Sequence, residues 1–282
     1  MCLIGLAIGQ HPRFELVVAA NRDEFLQRPA AAVDWWQATA NGAPLLGGRD
    51  LRAGGTWMAL NARGRVGMVT NVRDLSRQRA DAPSRGAIVP AWLASGAGAA
   101  DFWPEVAAQG HNPFNLLCGE IDTGQWWWAD DRAPTPTPLG AGLYGLSNAA
   151  LDTPWPKVQR LKAALSAALA ASPSSEVLEA ALFAALADHA PVPDAALPRT
   201  GVGLERERSL APAFIRMPDA QYGTRCSTLL VVERSTSGRA IHFIERQFAL
   251  DGSVHSQRRA QFAWPLTAGG LPPPRQEMLS AD

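Results

Sequence analysis

Short apolar runs separated by turn formers dominate the first half of the chain. Residues 2–8 are an unbroken apolar run closed by Gly9-Gln10-His11-Pro12, too short for a helix and therefore predicted as a strand. Residues 14–21 form a β-branched run that ends in the polar tetrad Asn21-Arg22-Asp23-Glu24 and predicts the partner strand of a hairpin. A four-residue turn sets Ala7 opposite Phe14 and Cys2 opposite Ala19. Strand side chains alternate, so this register puts Cys2, Ala19, Asn21 and Asp23 on one face and Arg22 on the other. A one-residue slip would reverse the assignment.

Residues 25–51, with Pro29, Pro44 and Gly47-Gly48, read as an irregular loop. Residues 54–61 and 66–71 around Asn61-Ala62-Arg63-Gly64 read as a second hairpin, whose second strand ends in Asn71. Residues 85–96 and 98–109 read as helices, and 114–118 with 125–129 as a further hairpin. Residues 142–148 predict a strand ending in Asn148, and 157–171 and 174–188 two helices, the first with Val158, Leu161, Leu165 and Leu169 at helical spacing. Residues 191–222 are a proline-rich excursion and a candidate lid. Strands are expected again at 225–233, 239–250 and 254–262. The order of strands, then helices, then strands predicts an α+β fold with antiparallel sheets, one domain over residues 1–265, and a loosely ordered tail over 266–282.

Composition narrows the function. The 282 residues are 47% hydrophobic with formal net charge zero, so a sizeable core is expected and nothing electrostatic points to nucleic acid. No apolar run approaches a membrane span and no signal-peptide pattern opens the chain, so a cytoplasmic protein is expected. The three cysteines, Cys2, Cys118 and Cys226, make no CxxC and no disulfide framework. The five histidines have no ligand spacing, so neither a metal nor another cofactor is expected.

Cys2 is the residue with chemistry. Loss of Met1 would leave it with a free α-amine of pKa roughly 7.7–8.0 beside a thiol of about 8.5, a base tethered to its nucleophile. A carboxylate at that end of the hairpin could orient the amine. Each partner also has a structural reading: Asn21, Asn71 and Asn148 as strand-end turn residues, Asp23 with Arg22 as a hairpin ion pair, Trp57 and Trp35-Trp36 as core, and Cys118 and Cys226 as inert interior thiols.

Met1-Cys2, the Asn-Arg-Asp-Glu tetrad, Gly55-Thr56-Trp57 and Gly223-Thr224-Arg225 together resemble the NRDE family, whose eukaryotic members are called transport and Golgi organisation proteins. That family is similar to the N-terminal nucleophile hydrolases, among them the penicillin V acylases and bile-salt hydrolases. The resemblance implies a four-layer αββα sandwich of two antiparallel sheets between helices. It implies Cys2 as nucleophile and base, Asp23 as the amine-binding carboxylate, the Asn71 N–H and the Asn148 side chain as oxyanion donors, and Arg225 as the site cation. Asn21, Arg22 and Trp57 are candidate substrate-binding residues. One position departs: the acylases carry an arginine where this chain has Ala20, and Arg22 is adjacent to Asp23 instead. The implied substrate is a small molecule, an amide or thioester with an apolar acyl group. The rival reading, also from the resemblance, is a non-catalytic carrier of a hydrophobic ligand such as haem or acyl-CoA.

Overall fold

In the computed structural model, which describes residues 3–40, 42–236, 238–266 and 270–277, all six residues of β1 (Leu3–Ile8) are buried. A strand covered on both faces explains the unbroken apolar run. Ile4, Leu6 and Ile8 enter a core between two sheets, while Leu3 and Ala7 face a helix layer. Cys2, the candidate nucleophile, lies outside the described residues.

The chain continues through β2 (Phe14–Phe25), β3 (Ala30–Gln37), β4 (Pro44–Asp50), β5 (Met58–Asn61) and β6 (Arg65–Asn71). Helices α1 (Ile88–Ala94) and α2 (Ala99–Ala108) follow, then β7 (Phe114–Glu120), β8 (Gln125–Asp130), β9 (Thr137–Leu139) and β10 (Gly142–Leu146). Next come α3 (Pro156–Ala171), α4 (Ser175–Leu186), α5 (Leu204–Leu210) and β11 (Arg216–Met217). The last strands are β12 (Tyr222–Ser235), β13 (Gly238–Phe248), β14 (Val254–Trp264) and β15 (Arg275–Glu277). One antiparallel sheet has the order β10-β1-β2-β12-β13-β14-β15, with β11 beside β12; the other runs β3 to β9 in chain order.

Four layers result. Ile4, Val18, Leu60, Met68 and Phe243 pack between the sheets. The stripe Val158, Leu161, Leu165 and Leu169 of α3, with Leu178 and Leu182 of α4, covers the first sheet. Trp92, Phe102 and Trp103 of α1 and α2 cover the second. Pro156 at the start of α3 suits a position with no intrahelical acceptor, and Ser174 caps α4 by accepting from the Val177 N–H at 3.4 Å. The α+β, αββα architecture expected from the sequence is therefore observed. No helix among the described residues is long and apolar enough to cross a membrane.

Three local expectations change. Leu3 pairs with Asn21 and Ala7 with Val17, so the expected hairpin register is wrong by three residues. The turn is longer than four residues: the Gly9 N–H donates to the Glu15 carbonyl at 2.8 Å, and His11 Nδ1 accepts the Arg13 N–H at 3.1 Å within the turn. An odd shift exchanges the faces. Asn21 shares a face with Leu3 and Ala19 toward the helices, whereas Arg22 shares one with Ile4 and Ala20 toward the second sheet. The strand continues through the whole tetrad to Phe25.

Residues 25–51 are not a loop either, since they hold β3 and β4. Their paired glycines mark close packing: a Cβ on Gly47 would lie 2.5 Å from the Met58 carbonyl oxygen, and one on Gly48 2.3 Å from the Trp57 ring. Finally, Arg275–Glu277 of the expected loose tail pair with β14 as an edge strand.

Candidate active site

Two sheets must be stitched together for residues of both to share a site. Thr70 on β6 donates its hydroxyl to the Ser147 carbonyl at 2.9 Å, and Asn115 Nδ2 donates to Thr70 Oγ1 at 3.0 Å and to the Ala149 carbonyl at 2.9 Å. Asn148 Nδ2 then donates to the Asn71 carbonyl at 2.9 Å, and the Arg73 N–H returns to the Asn148 carbonyl at 2.7 Å. The ends of β6 and β10 are thereby held together, with Asn148 only 7% exposed. The Val69 N–H donates to Trp57 on the β5 side. Backbone direction repeats every second residue, so the Asn71 N–H points the same way, past the first residue of β5.

Asp23 reaches this place from β2. Its Oδ1 accepts the Thr224 hydroxyl at 2.7 Å, while Thr224 Oγ1 accepts the Ile215 N–H at 2.9 Å. The carboxylate is thus oriented by the backbone of the 191–222 excursion. Asp23, Asn71 and Asn148 line one cleft, whose larger walls are Phe25, Leu75, Leu210, Ile215, Met217 and Tyr222. This apolar arm has a volume of about 270 Å³. Part of the candidate lid therefore forms its wall. An ion pair at 3.0 Å between the half-buried Arg73 and the buried Glu207 of α5 fastens that wall to the loop after β6, and Glu207 also accepts the Thr200 N–H at 2.7 Å.

A second, polar arm of about 260 Å³ shares Asp23 and Asn71 with the first. Arg22 lines it, 4% exposed, with its guanidinium carbon 4.4 Å from the centroid of the Trp57 ring. Such stacking away from water is worth about 2 kcal/mol. Arg22 lies 3.6 Å from Glu24, which also lies 3.7 Å from Arg28. The Gly-Thr-Trp motif builds the same wall. A Cβ at position 55 would meet the Gly86 carbonyl oxygen at 2.1 Å, where Thr56 donates its N–H at 3.0 Å. Thr56 Oγ1 donates to the Gly48 carbonyl at 2.6 Å, and Trp57 supports Arg22.

Two expected site residues do other work. Asn21 is fully buried: its Nδ2 donates to the carbonyls of Leu186 at 2.8 Å and Ala213 at 2.9 Å, and its Oδ1 accepts the Ser227 hydroxyl at 2.6 Å. Nothing of its amide remains for a substrate, and it clasps α4 to the sheet. Arg225, expected as the site cation, is bulged out of the β12 ladder and donates to the Phe25 and Leu26 carbonyls. Burial, then repulsion from Arg22, lowers its pKa from the usual arginine value. It lines neither arm, and the arginine that does so from the tetrad is Arg22. Asp23 and Arg22 do not form the alternative hairpin ion pair, because they project to different sides. Cys118 and Cys226 are free and buried; burial pushes the Cys118 thiol up to about 12 and Cys226 well above the ordinary thiol range.

Glu245 on β13 had no sequence signal beyond a lone acid in a strand. It is 1% exposed, and its Oε1 accepts the Val33 N–H of the second sheet at 2.9 Å. Burial pushes its pKa up to about 7 from 4.5, against the lowering pull of the Val33 N–H, Cys226, Arg22 and Thr228. A raised acid pKa means that folding takes up a proton between these values. The stabilising share is full below pH 4.5 and is lost as pH rises through 7, about 3 kcal/mol in all at 1.36 kcal/mol per unit. Glu245→Gln keeps the acceptor and removes the titration. Urea unfolding at pH 5 and pH 8 is therefore expected to show a smaller stability difference in the variant than in the native chain. Equal differences would reject this role.

The pattern of the Transport and Golgi organisation 2 family matches residues 1–249. The Mus musculus Transport and Golgi organization 2 homolog is 32% identical over 249 residues, covering 83% of this chain and 89% of that one. The Homo sapiens homolog is 31% identical over 251 residues, with the same coverage, and the Drosophila melanogaster protein 28% over 275 residues, covering 87% and 91%. Among solved structures, the Caenorhabditis elegans N-acylethanolamine-hydrolyzing acid amidase ortholog aligns over 82% of this chain and 92% of that chain, with TM-score 0.43 and 11% identity. With the family pattern matched over residues 1–249 and relatives above 30% identity over most of both chains, the chain belongs to the Transport and Golgi organisation 2 family.

Proposed function

We propose that this protein is an N-terminal cysteine hydrolase that cleaves an amide, or a thioester, with an apolar acyl group. The observation that carries the reading is the convergence of Asp23, Asn71 and Asn148 on one apolar-walled cleft. After Met1 is removed, the α-amine of Cys2 takes the thiol proton and Sγ attacks the carbonyl carbon. The amine's new ammonium is held by Asp23, which Thr224 orients. The oxyanion is held by the Asn71 N–H and by the Asn148 Nδ2–H not given to the Asn71 carbonyl; one such donor is worth roughly 2.7–4 kcal/mol in other enzymes. Collapse breaks the C–N or C–S bond, and the ammonium proton goes to the leaving group. Water then adds to the acyl thioester, giving its proton to the amine, and releases the acid and free Cys2. The buried Arg22 favours negative charge nearby and takes the part first assigned to Arg225.

The test is intact mass of the purified chain, before and after a brief pulse of limiting iodoacetamide. The expected result is a mass short by one methionine and one fast label on Cys2. Cys118 and Cys226, buried and with raised pKa values, are expected to stay unlabelled. Retained Met1 would remove the base and with it the mechanism. The apolar arm favours one other reading, a carrier of the same acyl ligands, in which ligand binding is indifferent to Met1 and Cys2.

A further inference from the structure

An acid on a face between two sheets is costly, and β13 carries one. Ile241 and Phe243 point into the core between the sheets, and alternation brings Glu245 to the same face. Its contacts there are neutral. Oε1 accepts the Val33 N–H at 2.9 Å and lies 3.5 Å from Gln247 Nε2, while Oε2 accepts the Thr228 hydroxyl at 3.5 Å. Cys226 also hydrogen-bonds the carboxylate. Arg258, the cross-strand partner of Glu245 on β14, is turned to the Val33 carbonyl and to Asp34. A glutamine would satisfy the Val33 N–H without the cost of a buried charge. What the glutamate adds is that charge.

The group that feels it is Arg22. Cys226 of β12 pairs with Arg22 of β2, and Thr228 pairs with Glu245 of β13, so the guanidinium and the carboxylate flank successive inward-facing residues of one strand. A second path of contact passes Gly48. A Cβ there would lie 2.3 Å from the Trp57 ring and 3.0 Å from Glu245 Oε2, so a residue without a side chain lets ring and carboxylate close on one point. Arg22 stacks on that same ring. Its Nη2 lies 3.6 Å from Glu24, and its buried Nη1 has no hydrogen-bond partner among the described residues. Direct contacts therefore leave the guanidinium charge partly unmatched. Glu245 is a further carboxylate whose field reaches it, and the attraction is mutual.

We infer that Glu245 is a positioning residue for the cleft's chemistry: from between the sheets it offsets the charge of Arg22 and so sets how readily the Cys2 thiol ionises. This rests on the reading in which Cys2 is the nucleophile beside Arg22. Burial pushes Glu245 up to about 7, so it gains its charge close to the range in which a thiol titrates. Above that pH the carboxylate weakens the field of Arg22, and the thiol keeps its proton longer. Without the charge, the thiol ionises earlier.

The test reads the thiol and needs no substrate. The rate of Cys2 alkylation by iodoacetamide is measured on the full chain from pH 5.5 to 9.5, with the label located by peptide mass. Glu245→Gln keeps the acceptor for Val33 and should move the midpoint down by about half a pH unit, or threefold more thiolate at any pH below it. Protection of the buried Cys118 and Cys226 in the same digest shows that each variant is folded. Thr228→Val removes a donor that favours the anion, and it should move the midpoint the same way by less. In an Arg22→Gln background the pull that helps Glu245 ionise is gone, so adding Glu245→Gln should change nothing near pH 7. An unmoved midpoint in Glu245→Gln, or an equal shift with and without Arg22, would overturn the inference. Retained Met1, or failure to cleave any amide, ends the hydrolase reading instead; the midpoint is measured all the same and judges Glu245 separately.

Discussion

Cys2→Ala is expected to lower turnover of an N-acyl substrate by about a thousandfold or more, because removing a nucleophile elsewhere costs at least that much. The variant keeps the α-amine, so the loss isolates Sγ. Cys2→Ser should be nearly as severe, since a hydroxyl beside an amine of pKa roughly 8 is a far poorer nucleophile than a thiolate. Asn148→Asp makes a sharper companion. It replaces one donor with a carboxylate facing the developing oxyanion, and about two to three orders of magnitude in kcat are expected to go with it. The readout is kcat and KM together: an oxyanion donor acts on kcat, whereas loss of the tie to the Asn71 carbonyl alone would move stability and leave kcat per folded molecule unchanged. A Cys2→Ala protein that turns over within tenfold of the native chain ends the nucleophile hypothesis.

Much of the fold was legible because its signals are local. Apolar runs closed by turn formers and the helical spacing of Val158, Leu161, Leu165 and Leu169 mark elements without reference to their partners. Where the reading failed, a distant partner decided the outcome. The first hairpin slipped by three because its turn is longer than four residues, closed by the Gly9 N–H on the Glu15 carbonyl, and β2, paired on its other edge with β12 more than two hundred residues away in sequence, runs on to Phe25. Gly47-Gly48 looked like a turn, and only the Met58 carbonyl oxygen and the Trp57 ring, lying where their Cβ atoms would be, explain two glycines inside a strand. The site divides in the same way. Asp23, Asn71 and Asn148 line one cleft, though the hairpin argument that first selected Asp23 used the wrong register. Arg225 lines neither arm because a bulge between Thr224 and Cys226 turns it toward the backbone of residues 25 and 26. No periodicity announces a bulge of that kind. Thr224, which orients Asp23, was visible in the Gly-Thr-Arg motif but carried no chemistry of its own until the hydrogen bond was seen.

Asn21→Ala is expected to destabilise the fold by about 3–5 kcal/mol, the largest stability effect of any single side chain in the tetrad. The substitution leaves two buried carbonyls without a donor and one buried hydroxyl without its acceptor. At roughly 1–3 kcal/mol for each such group, partly relieved by water, the sum reaches that range. Asn21→Asp should be no better, because a carboxylate cannot donate to Leu186 and Ala213 and its charge would be buried. Denaturant unfolding of the single variants and of Asn21→Ala with Ser227→Ala measures the coupling across the 2.6 Å contact, which should exceed about 1 kcal/mol. The same proteins separate clasp from catalyst. Asn21 faces the helix layer and lines neither arm of the cleft, so kcat per folded molecule should change by less than about threefold. A full-strength stability in Asn21→Ala with a collapsed kcat would return Asn21 to the substrate site and require a different clasp for α4.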